Sequence, residues 1–394
     1  MDDDDIATYI GWKGYTIYKK NISVQEQQML RKELNVKPFV PKSSLMKPQP
    51  FPVYRESKNK IYVPIFYGME VYGEPDEIRI DDGKKINVSF KGELRPKQKP
   101  VVKKFMKHIK KKNSGLLALH TGFGKTCLAL NIISKIKLKT IIIVHKEFLL
   151  RQWVERIEQF LPDAKVGKIQ AKTIDTEGKD IVICMLQSLS MKEYPKDMFR
   201  EYGFSIYDEV HHLGAEVFSK AFYKVVTKYS LGLSATINRK DGLTKVIKWF
   251  LGDVVCKLER KGEDNVLVKV INYETTDEDF NKIETDWRGQ IKYTTMVKKL
   301  CEFNNRSEFI LKVLSDLLKG NPNQQIMILA HQKKLLQYLH DAIRHRTIAT
   351  VGYYVGGMKE KDLKISEGKK VIIATYAMAE EGLDIKSLTT LIMA

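Results

Sequence analysis

The stretch GLLALHTGFGKTCLALNIISKI, residues 115–136, changes its pattern twice. A continuous apolar run, GLLAL (115–119), gives way to a glycine-rich turn, and the turn to an apolar stretch with helical spacing. A strand, a tight turn and a helix in that order make a phosphate-binding loop, because glycines free backbone N–H groups to cradle phosphate at a helix N-terminus. Within LHTGFGKT (119–126), Thr121, Gly122 and Gly124 shape the cradle, Lys125 reaches the β- and γ-phosphates, and the Thr126 hydroxyl helps to hold Mg²⁺. The strict GxxxxGK[ST] spacing is missed at its first position, where Leu119 stands. A glycine turn that happens to carry a lysine is the plainer alternative.

Outward from this loop the same alternation continues. Short apolar runs rich in β-branched residues recur as TIIIV (140–144), DIVIC (180–184), FSIY (204–207), SLGLS (230–234), QQIMIL (324–329) and KVIIA (370–374), with helix-like segments between them. Continuous apolar strands alternating with helices imply an α/β fold whose parallel sheets are covered on both faces. Such sheets carry their functional loops at the carboxyl edge. Residues 1–90 read differently, as a small β-rich or mixed N-terminal domain. There PFVPKSSLMKPQPFP (38–52) is a proline-rich connection, and KIYVPIFYG (60–68) and KKINVSFKG (84–92) are strands. Between residues 259 and 303 the rhythm breaks into charged sequence. The expected division is 1–90, an α/β domain at 91–258, a linker or insert at 259–303, and a second, partial α/β domain at 304–394.

YDEVHH (207–212) ends one of the apolar strands. Carboxylates on a neighbouring strand end complete a phosphate-loop site, with Asp208 holding Mg²⁺ and Glu209 polarising the attacking water. Zinc is the competitor for His211 and His212. Adjacent residues point in different directions, however, and neither HExxH spacing nor nearby cysteines accompany them. A purely structural strand end is the third reading.

The bulk properties agree with a polyanion partner. Sixty-seven Lys and Arg against 48 Asp and Glu leave a formal charge of +19, a field suited to nucleic acid or an anionic surface. Ten Lys and Arg against one Glu fall in 91–115, a run that reads equally as a solvated helix face or as phosphate contacts. Tyr18, Tyr62, Phe66, Tyr67 and Tyr72 could stack bases, although core or strand positions are the plainer reading. The four cysteines, Cys127, Cys184, Cys256 and Cys301, form no CxxC pair. They suggest neither a zinc knuckle nor a disulfide framework, and fit a reducing compartment. With no secretory signal and no apolar run long enough to span a bilayer, a soluble intracellular protein of cytoplasm, nucleus, virion or viral factory is expected.

HTGFGKT, YDEVHH and LSAT (233–236), in this order, resemble motifs I, II and III of the superfamily 2 helicases of DExH type. LGLSATINRKDGLT resembles the branch that contains the eukaryotic repair and transcription helicase XPB, the phage recombination helicase UvsW and the poxvirus transcript-release helicase. In that branch an arginine-bearing element follows the third motif, here Arg239, Lys240, Asp241 and Gly242. Large DNA viruses are the expected source. The resemblance spans roughly residues 93–394 and implies tandem RecA-like doubly wound parallel sheets, the second incomplete.

It also implies roles. In LRPKQ (94–98), Gln98 would contact adenine. The segments IIIVHKEFLLRQW (141–153), with Arg151, and LQSLS (186–190), with Gln187 and Ser188, would touch the nucleic-acid backbone. MILAHQKKLLQYL (327–339) resembles motif IV. VIIATYAMAEEGLDI (371–385) resembles motif V, with Thr375, Glu381, Gly382 and Asp384 in place. Ser234, Ala235 and Thr236 would couple the nucleotide and nucleic-acid sites, with His211 in the same relay. ATP and Mg²⁺ are the implied cofactors, DNA or RNA the implied partner, and transcription or repair machinery the implied setting. Family members follow motif V with arginines that face the γ-phosphate, whereas this sequence stops at LTTLIMA (388–394). A fragment is therefore expected, either a helicase or translocase, or an ATP-gated binding or duplex-remodelling module with little turnover.

Overall fold

The computed structural model describes residues 7–39, 48–211, 215–236, 241–260, 266–379, 385 and 387–394. It divides into two compact units, Met1–Glu263 and Asp264–Ala394. No helix among the described residues is long and apolar enough to cross a membrane.

The first unit opens with β1 (Thr8–Gly11), β2 (Gly14–Tyr18), β3 (Asn35–Val36), β4 (Phe51–Pro52), β5 (Arg55–Glu56), β6 (Lys60–Val63) and β7 (Glu77–Ile78). Five of these form a sheet in the order β5-β6-β2-β1-β7, and β3 pairs with β4. The segment KIYVPIFYG is strand only as far as Val63. Pro64 has no N–H for a ladder, and Ile65–Tyr72 is a helix that stops at Gly73. KKINVSFKG forms no strand either, only a single bridge between Lys85 and Leu138. Its alternate apolar residues Ile86 and Val88 are instead buried against the neighbouring layer. The N-terminal sheet does not stand apart, because Ile10, Tyr15, Ile17 and Ile61 share one continuous core with Leu116, Ile141 and Ile143.

The large sheet contains β8 (Ser114–Leu119), β9 (Thr140–Val144), β10 (Val166–Gln170), β11 (Thr173–Asp175), β12 (Ile181–Met185), β13 (Phe204–Tyr207), β14 (Tyr229–Ser234) and β15 (Val254–Leu258). Their order is β11-β10-β12-β9-β13-β14-β8-β15. Every pairing is parallel except β10 with β11. β9 explains why the central strands are apolar throughout. Ile141 and Ile143 face one core, while Ile142 and Val144 face the other. Each side chain so buried contributes roughly 1.5–3 kcal/mol. Helices Lys99–Lys112, Lys125–Ile136 and Glu147–Phe160 lie side by side on the second of these faces.

In the second unit, β16 (Gln325–Ala330), β17 (Val351–Tyr354), β18 (Val371–Thr375) and β19 (Leu388–Met393) form a parallel sheet in the order β17-β18-β16-β19. Ile326 and Ile328 pack under the helices Asn304–Gly320 and Lys333–His345, while Met327 and Leu329 serve the opposite face. Both units thus carry the doubly wound, RecA-like sheet that the resemblance implies, the second the smaller with four strands.

Candidate active site

Three neighbouring strands bring the first three motifs to one edge. β14 lies between β13 and β8, with Tyr207 opposite Gly232 and Ser234 opposite Ala118. The turn after β8, the carboxylates after β13 and Ser234–Thr236 after β14 therefore leave the sheet at its carboxyl edge together.

The turn after β8 is built on backbone that only glycine adopts easily. Gly122 has φ +78° and Gly124 has φ +86°, both in the left-handed region. Gly124 caps the helix Lys125–Ile136, whose first N–H groups have no partner within the helix. The loop is braced from behind. Gln98, 2% exposed, donates from Nε2 to the carbonyls of Phe123 at 2.9 Å and Gly124 at 3.4 Å. Its Oε1 accepts from the backbone N–H of Arg95 at 2.9 Å. The Arg95 guanidinium donates to Gly122 O at 3.2 Å and also to Phe123 O. The Phe123 N–H donates back to His120 O at 3.2 Å, closing the turn, and with the carbonyls of Gly122, Phe123 and Gly124 drawn backwards the N–H groups at the helix start are left to face an anion. Thr121 is exposed on the loop, and Thr126 is half-buried at the start of the helix.

Lys125 Nζ stands 2.9 Å from Glu209 Oε1. Glu209 itself has φ +48°, an uncommon backbone for a non-glycine residue that costs of order 1 kcal/mol. Its Oε2 lies 3.4 Å from His211 Nδ1 and, although buried, accepts no hydrogen bond among the described residues. Asp208 is 5% exposed. Trp153 Nε1 donates to its Oδ2 at 2.8 Å, and the Glu209 N–H donates to its Oδ1 at 3.0 Å. Burial, with Glu209 beside it, pushes the Asp208 carboxyl up to about 6, against the pull of Trp153 and Lys125.

His211 connects the second motif to the third. Its Nδ1 is 2.8 Å from Ser234 Oγ, and the Ser234 hydroxyl donates to Thr236 O. When Nδ1 carries the imidazole proton, Ser234 Oγ accepts it and keeps its own single hydrogen for Thr236 O. The same N–H faces Glu209. Ser234 is buried, Ala235 half-buried and Thr236 exposed. Asp241 Oδ1 accepts from Leu243 N at 3.1 Å, closing the turn at Gly242.

Residues expected on the nucleic-acid path lie on other elements. Arg151 pairs with Glu147 at 2.6 Å on the helix after β9. Gln187, after β12, donates to His145 O at 2.8 Å. The Ser188 hydroxyl accepts from Ala171 N at 2.9 Å. Thr375 ends β18 in the second unit. His212, Arg239, Lys240, Glu381, Gly382 and Asp384 lie outside the described residues.

Two functional partners escaped the sequence reading. Arg95 sits inside the quoted LRPKQ segment, but nothing in its spacing points to loop carbonyls 27 and 28 positions away. Trp153 belongs to the buried face of its helix. The only available signal was that a buried indole N–H needs an acceptor.

The donor set fits a nucleotide phosphate with a hard cation. The glycine cradle at a helix N-terminus and Lys125 suit the anion, and the oxygens of Thr126 and Asp208 suit Mg²⁺. Among the described residues, no three His, Cys, Asp or Glu side chains come together as a metal cluster.

Residues 91–239 match the family described as "Type III restriction enzyme, res subunit". The chain is 34% identical over 401 residues to "Putative ATP-dependent RNA helicase L396" of Acanthamoeba polyphaga mimivirus, an alignment covering 99% of this chain and 76% of that protein. It is 27% identical over 331 residues to "Putative helicase 161L" of Invertebrate iridescent virus 6, covering 78% of this chain and 72% of that one. Among solved structures it is similar to T4 UvsW, with 16% identity, a TM-score of 0.41, and coverage of 99% of this chain and 83% of that chain.

Proposed function

The chain belongs to the superfamily 2 helicases of large DNA viruses, ATP hydrolases that move on or unwind nucleic acid, and from that membership we propose how its residues divide the work. The observation that carries the assignment is the 2.9 Å pair between Lys125 and Glu209, with Asp208 and the left-handed glycine loop beside it. Lys125 and the loop N–H groups hold the β- and γ-phosphates. Lys125 pairs with Glu209 at 2.9 Å, and a phosphate seated in the loop draws on the same ammonium and releases the Glu209 carboxylate to face the attacking water. Glu209 then takes the proton of the attacking water, and its buried Oε2 has an acceptor position to spare. Thr126 and Asp208 would hold Mg²⁺, which would supply positive charge against the phosphate oxygens. Gln98 braces the loop and, as the resemblance implies, contacts adenine.

His211 and Ser234 form the coupling step. A change in charge at Glu209 is felt at His211 Nδ1, 3.4 Å away, and then at Ser234, 2.8 Å further. Ala235, Thr236 and Arg239 carry it onward. Arg151, Gln187, Ser188, Thr375, Glu381 and Gly382 contact the nucleic-acid backbone, which positions the strand without reading its sequence. Residues 91–258 act as the ATP-binding domain, 304–394 as its RecA-like partner, 259–303 as the connection and 1–90 as an accessory domain. The resemblance to the XPB and poxvirus branch supports a setting in viral transcription or repair.

The test is steady-state ATP hydrolysis by the chain alone and with single-stranded DNA, duplex DNA or RNA. Stimulation by one of these supports the motor and names its preferred strand. Turnover indifferent to all three removes the nucleic-acid half of the reading.

A further inference from the structure

Helix Lys99–Lys112 packs Val101, Val102, Phe105 and Ile109 inward, with Met106 and His108 half-buried at the margin, and turns its lysines towards solvent. Lys103, Lys104, Lys107, Lys110 and Lys111 are all exposed, and the helix contains no acidic residue. Among the described residues none of these five has an ion-pair partner. Lys99, in the first turn, pairs with Glu93 at 2.8 Å.

Two physical features separate this face from an ordinary solvated one. Lysines recur three or four residues apart at Lys99 and Lys103, Lys103 and Lys107, Lys104 and Lys107, Lys107 and Lys110, and Lys107 and Lys111, spacings at which like charges destabilise a helix. The helix dipole favours Lys110, Lys111 and Lys112 at the C-terminus but disfavours Lys99 near the N-terminus. The neighbouring helix Glu147–Phe160 shows the usual solution, with Glu147, Glu155 and Glu158 interleaved with Arg151 and Arg156. A face that keeps only one sign of charge is complementary to a polyanion.

We propose that this lysine face is a second nucleic-acid contact surface, gripping the phosphate backbone apart from the path expected along the strand ends. The inference rests on the helicase reading. The lysine helix flanks Lys125–Ile136 on one face of the sheet, with Glu147–Phe160 beyond. β8, which it precedes, is three strands from β9, a lateral distance of about 14 Å at ordinary strand spacing. Arg151 therefore serves a different line of contact. The helix is about 21 Å long, enough to follow several phosphates. Lysines act as point charges without planar base recognition, so the grip is independent of sequence and sensitive to salt. The N-cap of the helix is Gln98, which holds the phosphate-loop carbonyls, so a load on this face is applied to the element that braces the nucleotide loop.

The experiment measures binding of the full chain to a fluorescent 20-nucleotide single strand across a salt series. It compares wild type with Lys103→Gln/Lys107→Gln/Lys111→Gln. Three lost phosphate contacts at about 0.7 each reduce the slope of log affinity against log salt by about two, and affinity near 0.1 M salt falls at least tenfold. An unchanged slope and affinity overturn the proposal. So does an equal effect from Lys312→Gln/Lys319→Gln/Lys361→Gln, which removes the same charge from scattered exposed positions of the second unit. ATP hydrolysis by the wild-type chain separates the two readings. Stimulation by nucleic acid with an unmoved slope removes the lysine surface alone. A shifted slope without stimulation keeps the surface and removes the motor.

Discussion

The indole N–H of Trp153 donates to Oδ2 of Asp208 at 2.8 Å, and both groups are buried. A hydrogen bond to a charged group contributes about 1.5–3 kcal/mol, and this one holds one carboxylate oxygen of Asp208 in place. Trp153→Phe keeps most of the ring and deletes the donor. The expected result is a kcat lowered by roughly tenfold to a hundredfold, by the same energy range, together with a higher Mg²⁺ requirement for nucleotide binding. A lower Tm with unaltered kcat and Mg²⁺ dependence would assign the tryptophan to packing alone.

The two loop glycines are not equivalent. A Cβ on Gly122 would meet nothing within 4 Å, whereas one on Gly124 would come within 2.6 Å of Gln98 Nε2 and 2.8 Å of Arg95 Nη2. Alanine at either position bears the cost of positive φ, on the order of 1 kcal/mol. Gly124→Ala also displaces both braces from their carbonyls. Nucleotide affinity is expected to fall several-fold in Gly122→Ala and by at least tenfold more in Gly124→Ala. Equal losses measured by fluorescent-nucleotide titration would show that the braces do not matter.

Acid sensitivity of the second unit has an identifiable contributor. Arg346 grips Glu308 with two hydrogen bonds, of 2.7 and 2.8 Å, and Tyr338 adds a third. Together they hold the carboxyl down to about 2. In the unfolded chain the group titrates near 4.3, so between those values the unfolded state binds more protons and stability rises with pH. The contribution is fully present above about pH 4.5 and is lost as pH falls towards 2. Both side chains are about half exposed, so screening limits it to about 1 kcal/mol or less. Glu308→Gln is expected to unfold at a slightly lower temperature than wild type at pH 7, with the difference narrowing between pH 4.5 and 3. A difference constant with pH would contradict the assignment.

The sequence revealed the strands that are buried on both faces, because these need continuous apolar runs. TIIIV became β9 and FSIY became β13. Strands at or near the sheet margins left no such run. Thr173–Asp175 is wholly exposed, Val166–Gln170 beside it alternates, and Val254–Leu258 and Val351–Tyr354 are edge strands only partly covered. The aromatic segment IFYG (65–68) misled for a related reason. Bulky apolar residues suit a strand or a packed helix, and Pro64 decided for the helix. At the site, Lys125, Asp208 and Glu209 were legible because each follows a recognisable strand. The contacts of Arg95 and Trp153 run between positions 27 to 55 residues apart and leave no local pattern.

The account stands on Glu209 acting as the proton acceptor while Lys125 binds phosphate. The most direct measurement is single-turnover ATP hydrolysis by Glu209→Gln, with ATP binding measured on the same preparation. The predicted result is binding within a few-fold of wild type and hydrolysis slowed by about a hundredfold or more, the range expected for a lost general base. Hydrolysis at a near wild-type rate by Glu209→Gln would contradict the account and leave the Lys125–Glu209 pair a structural feature of the strand edge.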